Sequence, residues 1–191
     1  MNICLYGASS NVIDEKYIIN AEKVGRLIAE RGHRMVFGGG AQGVMGGAAR
    51  GVTAGGGELV GVAPGFFNVD GILYEKCTEF VYTETMRERK QIMEDRADAF
   101  IVMPGGIGTF EEFFEILTLK QLGRHCKAIA IFSDGGYYTE LASLIEKTIQ
   151  EKFMKEECRD LCKFFDNAEE MMDYLESYEG SIADVKHMKN I

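Results

Sequence analysis

Several features are scarce in this sequence, and each scarcity argues against a class of protein. Only 2 of the 191 residues are proline and 46% are hydrophobic, which favours one globular domain with a full core. Acidic residues outnumber basic ones, and the formal net charge is −9. Because a broad nucleic-acid-binding face is usually basic overall, we expect no nucleic acid as a partner. A small anionic ligand is compatible with this charge where cations cluster locally.

Long apolar runs and metal-binding motifs are also missing. Runs such as AIAIF are far shorter than the roughly 20 residues of a membrane span, so no membrane partner is expected. The start, MNICLYGASS, lacks the basic and long apolar regions of a signal peptide. The five cysteines include no CxxC pair, and no nearby histidine completes a zinc set beside Cys158 and Cys162. We therefore expect a cytoplasmic protein with reduced cysteines and no bound metal.

Short β-rich runs alternate with helical patterns along the chain. Several of the runs, such as FIVM and AIAIF, are apolar throughout, which is typical of parallel strands covered by helices on both faces. The alternation predicts an α/β fold with a doubly wound parallel sheet of about seven strands. One domain is expected over residues 1–178, followed by a polar tail over 179–191. The predicted strands read NICLYG, RMVFGGG, GELVGVAP, TEFVY, ADAFIVM, CKAIAIF and CKFFDN.

Three loops of small residues follow predicted strands: GASS the first, GGGAQG the second and PGGIGT the fifth. Ligands of such sheets bind beyond the carboxyl ends of the strands, so these loops should line one site. Gly38, Gly40 and Gly43 match the dinucleotide motif GxGxxG. However, Glu58, at the expected spacing for a ribose contact, stands at the start of the next strand. Tight turns and close helix packing explain these glycines equally well, and we expect no cofactor.

The PGGIGT loop is more specific. Pro104 ends the strand, and Gly105, Gly106 and Gly108 allow backbone amides to converge on an anion without interference from Cβ atoms. Thr109 is a candidate N-cap of the following helix. No GK[ST] follows, so the loop is not a P-loop, and kinase or NTPase chemistry is not expected.

Two glutamates follow this loop. Thr109 and Glu112 have the spacing of a capping box, in which Glu112 folds back onto the Thr109 amide. That structural role is favoured by the motif alone. Glu111, expected in the first turn, would complement the helix dipole without any ligand.

The preceding helix carries cations where apolar residues are expected. Met86, Met93 and Ala97 mark its apolar stripe, and the same face includes Arg89 and Lys90. Buried cations need an anionic partner. They could pair with carboxylates such as Glu111 or Glu112, or extend toward solvent. Alternatively, cations and glycine loops hold a phosphate, while a carboxylate stabilises the oxocarbenium-like sugar formed when an N-glycosidic bond breaks.

The stretches PGGIGTFEE, MRERK and FGGGAQGVMG also resemble the LONELY GUY (LOG) family. These are cytokinin riboside 5′-monophosphate phosphoribohydrolases, often mislabelled as lysine decarboxylases. The resemblance runs from YGASS to GYYTELASLI and beyond. It implies a Rossmann-like fold, a homodimer with sites near the interface, and no cofactor. It also implies a nucleoside monophosphate substrate: AMP or N6-substituted AMP, hydrolysed to free base and ribose 5-phosphate.

The resemblance assigns catalysis to Arg89 and Glu112. Asp70, in a stretch that aligns poorly, is only a guess for a further acidic contact, and Arg87 stands where the plant-like pattern has histidine, which leaves the base preference open. Substrate contacts are assigned to Ser9, Lys90, Gly106, Ile107, Gly108, Thr109, Phe110, Glu111 and Thr118.

A second function class stays open. PGGxGT loops also resemble those of molybdenum-cofactor carriers, so the same loops could hold a phosphorylated ligand in a binding module without hydrolysis. Arg89 and Glu112 discriminate between the two, because a carrier has no need of a carboxylate at the glycosidic carbon.

Overall fold

The strands of the computed structural model, which describes residues 1–182, form one parallel sheet with the order β4-β3-β2-β1-β5-β6-β7. The predicted α/β fold with seven strands is confirmed. The elements are β1 (Asn2–Tyr6), α1 (Glu15–Glu30), β2 (Arg34–Phe37), α2 (Gly43–Ala54), β3 (Leu59–Pro64), β4 (Glu79–Thr83), α3 (Met86–Arg96), β5 (Ala99–Val102), α4 (Ile107–Gln121), β6 (Ala128–Phe132), α5 (Thr139–Gln150), β7 (Lys163–Phe165) and α6 (Ala168–Ser177). Short 3₁₀ turns cover Gly65–Phe67 and Glu156–Leu161. Most of the expected tail, 179–191, lies outside the described residues.

Helices cover both faces of the sheet. Along β1, Ile3 and Leu5 face the core formed with α1, α2 and α6, while Cys4 and Tyr6 face the core formed with α3, α4 and α5. All four side chains are at most 1% exposed. Two-sided burial explains why the central strands are apolar throughout rather than alternating.

Helices α1 and α2 pack with their backbones close together. A methyl group on Gly51 of α2 would lie 2.0 Å from the carbonyl oxygen of Glu22 in α1, so this contact requires glycine. This supports close helix packing as the role of the glycines in α2.

The order in which strands are added to the sheet reverses at β1: β2 to β4 extend it on one side, and β5 to β7 extend it on the other. β1 pairs with β2 on one side and with β5 on the other, with Leu5 opposite Phe37 and Ile101. The connections after β1 and β5 therefore lead to opposite faces and leave a crevice at the carboxyl ends of these strands. Such a switch point is where ligands of open α/β sheets bind.

Candidate active site

A cavity of about 760 Å³ lies at this switch point. Its wall contains residues from all three of the small-residue loops, together with residues from the segment after β3 and from α3. The expectation that these loops share one site is confirmed. The lining residues that matter most are Ser9, Gly38, Phe67, Asp70, Ile72, Leu73, Arg89, Gly106, Gly108, Thr109 and Glu112.

Helix α4 begins at the cavity with its first N–H groups uncapped. Its N-cap is Gly106, which has no side chain to accept a hydrogen bond from the first turn. The first turn is formed by Ile107, Gly108 and Thr109, whose N–H groups have no intrahelical partner. Together with the helix dipole, these groups form a site suited to a phosphate.

The predicted N-cap at Thr109 and its capping box with Glu112 are wrong. Gly106 already adopts the extended backbone of an N-cap. The helix therefore begins three residues earlier than it would with Thr109 as its N-cap. Thr109 is 4% exposed and its hydroxyl packs against Gly105, where a methyl group would lie 2.1 Å away. With the earlier start, Glu111 and Glu112 leave the first turn, and the predicted dipole role of Glu111 is lost with it.

A threonine and a glutamate with the same spacing do cap helix α3. The hydroxyl of Thr85, the N-cap of α3, accepts a hydrogen bond from the Glu88 amide at 3.1 Å. The Glu88 carboxylate in turn accepts one from the Glu84 amide at 2.9 Å. This cap fixes the first turn of α3, from which Arg89 projects inward.

Arg89 and Glu112 form a buried ion pair in the cavity wall. Arg89 Nη1 donates to Glu112 Oε1 at 2.7 Å, and Nε donates to the Val62 carbonyl of β3 at 3.1 Å. The side chains are 8% and 11% exposed. A methyl group on Gly38 would lie 1.9 Å from Arg89 Nη2, so the glycine loop after β2 leaves space for the guanidinium.

Burial raises the pKa of the Glu112 carboxyl above its usual range, and the adjacent Arg89 guanidinium opposes the rise. Burial disfavours the charged carboxylate, while a nearby cation favours it. A carboxyl with such opposing influences, in a cavity beside an anion site, is a candidate for catalysis.

The Lys90 side chain lies outside the cavity. Its ammonium pairs with Glu111 and, at 2.5 Å, with Glu115, and it is not part of the cavity wall. Burial alone would lower the pKa of Lys90, but the two carboxylates outweigh it and raise the pKa. The expected pairing of these α3 cations with the two glutamates is therefore observed. Lys90 pairs with Glu111, and Arg89 pairs with Glu112.

Of the remaining residues predicted to contact the substrate, some line the cavity and some do not. Ser9, Gly106, Gly108 and Thr109 lie in the cavity wall. Ile107 is 84% exposed at the start of α4. Phe110 packs edge-on against Tyr138, with ring centroids 6.2 Å apart. Thr118 lies in a separate groove between α4 and α5.

The segment after β3 forms a wall that sequence reasoning largely missed. It is held to the GGGAQG loop by backbone hydrogen bonds from Ala41 N to Ile72 O at 2.9 Å and from Tyr74 N to Gly39 O at 2.8 Å. Ile72, Phe67 and the guessed Asp70 thereby line the cavity. No residue pattern signals such long-range backbone pairing, so the sequence offered only the acidic Asp70 as a clue.

Within residues 1–182, no group of three or more His, Cys, Asp or Glu side chains could hold a metal ion. None of the helices in that part of the chain is long and apolar enough to cross a membrane.

Solved structures similar to this one include molybdenum cofactor carriers. The carrier protein of Chlamydomonas reinhardtii has a TM-score of 0.70 at 19% identity, covering 93% of this chain and 98% of that one. The molybdenum cofactor binding protein of Rippkaea orientalis has a TM-score of 0.67 at 19% identity, covering 92% and 94%. At this level of identity, the similarity shows a shared fold.

Sequence relatives are closer. Cytokinin riboside 5′-monophosphate phosphoribohydrolase LOG2 of Arabidopsis thaliana is 35% identical over 92% of this chain and 83% of its own length. Cytokinin riboside 5′-monophosphate phosphoribohydrolase of Rhodococcoides fascians is 40% identical over 59% of each chain. A family model described as "possible lysine decarboxylase" matches residues 45–175. The chain therefore belongs to the LOG family, as do these cytokinin riboside 5′-monophosphate phosphoribohydrolases.

Proposed function

We propose that this protein hydrolyses the N-glycosidic bond of a nucleoside 5′-monophosphate, AMP or N6-substituted AMP, to give the free base and ribose 5-phosphate. The observation that carries the proposal is the buried Arg89–Glu112 pair, which shares one cavity with the uncapped start of α4. The relatives named as phosphoribohydrolases support the same reaction.

The phosphate binds at the start of α4. The N–H groups of Ile107, Gly108 and Thr109 belong to the first turn, and Gly108 and Thr109 line the cavity. Anions are stabilised at such a helix end by the dipole and by direct hydrogen bonds. Because Glu112 follows Gly108 by one helical turn on the same face of α4, a phosphate held there positions the ribose beside Glu112.

Glu112 acts on the reacting sugar. As the bond between C1′ and the base nitrogen breaks, its electron pair moves to the base, and positive charge develops on C1′ and the ring oxygen. The Glu112 carboxylate stabilises this charge and accepts a proton from the water that attacks C1′. Arg89 holds the carboxylate in place through its 2.7 Å hydrogen bond. The base leaves with a proton supplied by solvent or by an acidic group in the cavity.

The base occupies the side of the cavity that is walled by apolar residues. The apolar side chains in the cavity wall are Met45, Phe67, Ile72, Leu73 and Met86. Flat aromatic rings and their apolar substituents bind to such walls by excluding water.

The substitution Glu112→Gln tests this assignment. We expect the variant to fold and to lose turnover by roughly 10²- to 10³-fold, because an amide cannot stabilise the developing charge as a carboxylate does. Glu115→Gln is a matched control on the same helix, since Glu115 pairs with Lys90 away from the cavity. Release of adenine from AMP is measured by chromatography. Wild-type turnover by Glu112→Gln would remove Glu112 from the mechanism.

We also propose that the protein is a homodimer with its sites near the interface. Phe114 and Leu144 are 42% and 54% exposed and line the apolar groove between α4 and α5 that contains Thr118. A second copy covering this groove would bury apolar surface and place Thr118 at the subunit boundary. Size-exclusion chromatography with light scattering should give twice the chain mass, and a clean monomer would refute the dimer.

A further inference from the structure

Three consecutive carbonyl groups at the start of the PGGIGT loop, beginning with Met103 just before it, are held by groups outside the loop. The Tyr138 hydroxyl donates to the Met103 carbonyl at 2.7 Å, and the Tyr137 hydroxyl donates to the Gly105 carbonyl at 2.9 Å. Between them, the Ala8 amide donates to the Pro104 carbonyl at 3.1 Å. The two tyrosines come from the connection after β6, and neither lines the cavity.

The bonds to the Pro104 and Gly105 carbonyls determine where the N–H groups of Gly105 and Gly106 point. The Met103 carbonyl precedes Pro104, which has no N–H, so the Tyr138 bond anchors the start of the loop instead. In a trans peptide, the C=O and N–H groups point in opposite directions. The Tyr137 hydroxyl, by holding the Gly105 carbonyl, therefore aims the Gly106 N–H away from itself. Gly106 borders the cavity, so this amide belongs to the set that faces a bound anion.

The loop needs such anchors because its own residues supply few. Glycines have no side chains to pack and the widest backbone freedom. Without external bonds, the amides would have to be ordered when the phosphate binds, at a cost in affinity.

The tyrosine rings are themselves packed against other aromatic rings. Tyr138 is 1% exposed. The Tyr137 and Tyr138 rings meet edge to face with centroids 4.9 Å apart. The Tyr137 ring also packs against Tyr17 of α1, at 5.5 Å between centroids. The hydroxyls are therefore presented by a packed aromatic cluster that connects α1 and α5 to the loop, in which Tyr138 is buried and Tyr137 is 38% exposed.

We propose that Tyr137 and Tyr138 are positioning residues that set the affinity of the site for the substrate's phosphate. Tyr137 fixes the peptide plane between Gly105 and Gly106, and Tyr138 anchors the Met103 carbonyl at the start of the loop. This inference rests on the proposed function for the identity of the phosphorylated ligand. Neither tyrosine touches the reacting atoms.

The substitution Tyr137→Phe tests the inference, because it removes only the hydroxyl and keeps the ring packed on Tyr17. Tyr17→Phe is the matched control, since it removes a hydroxyl from the same ring pair and leaves the loop carbonyls bonded. Calorimetry with ribose 5-phosphate and with inorganic phosphate measures binding independently of turnover. We expect Tyr137→Phe to weaken binding by about 3- to 10-fold, the effect of one lost hydrogen bond, and Tyr17→Phe to stay within about twofold.

Kinetics separate positioning from general damage. With AMP, Tyr137→Phe should raise KM more than it lowers kcat, whereas slow cleavage of adenosine, which has no phosphate, should be unchanged. Tyr138→Phe should act in the same direction, and its thermal unfolding is followed because that hydroxyl is buried. Equal losses with AMP and adenosine, or equal phosphate binding by Tyr137→Phe and the wild type, would overturn the inference.

The two proposals fail in different ways. A wild-type protein that binds ribose 5-phosphate but releases no base refutes the hydrolase and leaves the tyrosine anchors intact. A wild-type protein that releases base while Tyr137→Phe binds phosphate normally refutes only the anchors.

Discussion

The substitution Gly38→Ala places a single methyl group against the Arg89–Glu112 pair. The new carbon would lie 1.9 Å from Arg89 Nη2 and 3.1 Å from Cζ. To regain ordinary contact distance, the guanidinium must retreat by about 1.5 Å. A retreat of that size cannot keep both the 2.7 Å bond to Glu112 and the 3.1 Å bond to Val62.

Two consequences follow for Gly38→Ala. Leaving the buried Glu112 carboxylate without its cation costs about 3–5 kcal/mol of stability if the chain does not relax. Misplacing the pair by about 1 Å lowers turnover by roughly 10²-fold. Gly65→Ala is the control, since a methyl group at Gly65 meets no atom within 4 Å and should leave both properties unchanged.

The assay combines kcat/KM for base release from AMP with thermal unfolding. The double variant Gly38→Ala with Arg89→Ala supplies the decisive comparison, because once the guanidinium is gone the methyl group meets only the flexible Met45 side chain, with Sδ at 3.3 Å. Gly38→Ala should therefore add almost no further loss in that background. Equal effects of the methyl group with and without Arg89, or near wild-type turnover in the single variant, would refute the reasoning.

Three further predictions concern pH and buried charge. Since burial raises the pKa of the Glu112 carboxyl, kcat/KM should fall as the pH decreases through a pKa above 4.5. A fall in kcat/KM only at or below pH 4.5 would show that the charge of Arg89 outweighs the effect of burial on this pKa. Burial raises the pKa of Glu94 from 4.5 to about 7, so the stability that this group contributes below pH 4.5 is lost as the pH rises through 7; urea unfolding should show Glu94→Gln to be more stable by about 1 kcal/mol at pH 8, after allowance for partial exposure, with no gain at pH 4. Burial lowers the pKa of Lys120 from 10.5 to about 8, and its ammonium has no hydrogen-bond partner among the described residues. Lys120→Met should therefore raise the unfolding free energy at pH 7 by about 1 kcal/mol, a gain that disappears above pH 10.5, and unchanged stability at pH 7 would contradict the cost of burying this charge.

Much of the fold could be predicted because its signals are local. Apolar runs such as Ala128–Phe132 mark strands covered on both faces, and the left-handed Gly32, with φ of 74°, ends α1 where the sequence indicates. The same logic predicted the inward position of Arg89, which is 7% exposed, from a cation on an apolar stripe. Met86, on that stripe, is 43% exposed and lines the cavity instead of packing in the core.

The parts that could not be predicted depend on choices between equivalent local patterns. Thr85 and Thr109 both precede a glutamate at capping-box spacing, yet only Thr85 caps a helix, because Gly106 offers α4 an earlier start. Similarly, Glu111 and Glu112 are adjacent in sequence, and only the three-dimensional positions of Lys90 and Arg89 determine which glutamate reaches the cavity.

Release of free base is the most direct test of the proposed hydrolysis. The purified protein is incubated with a panel of nucleoside 5′-monophosphates that includes AMP and an N6-prenylated AMP, and the products are separated by chromatography. We expect free base and ribose 5-phosphate in equal amounts from at least one member, with loss of both products in Glu112→Gln. Tight binding of these nucleotides with no base released from any of them would contradict the hydrolase and favour a carrier of phosphorylated ligands.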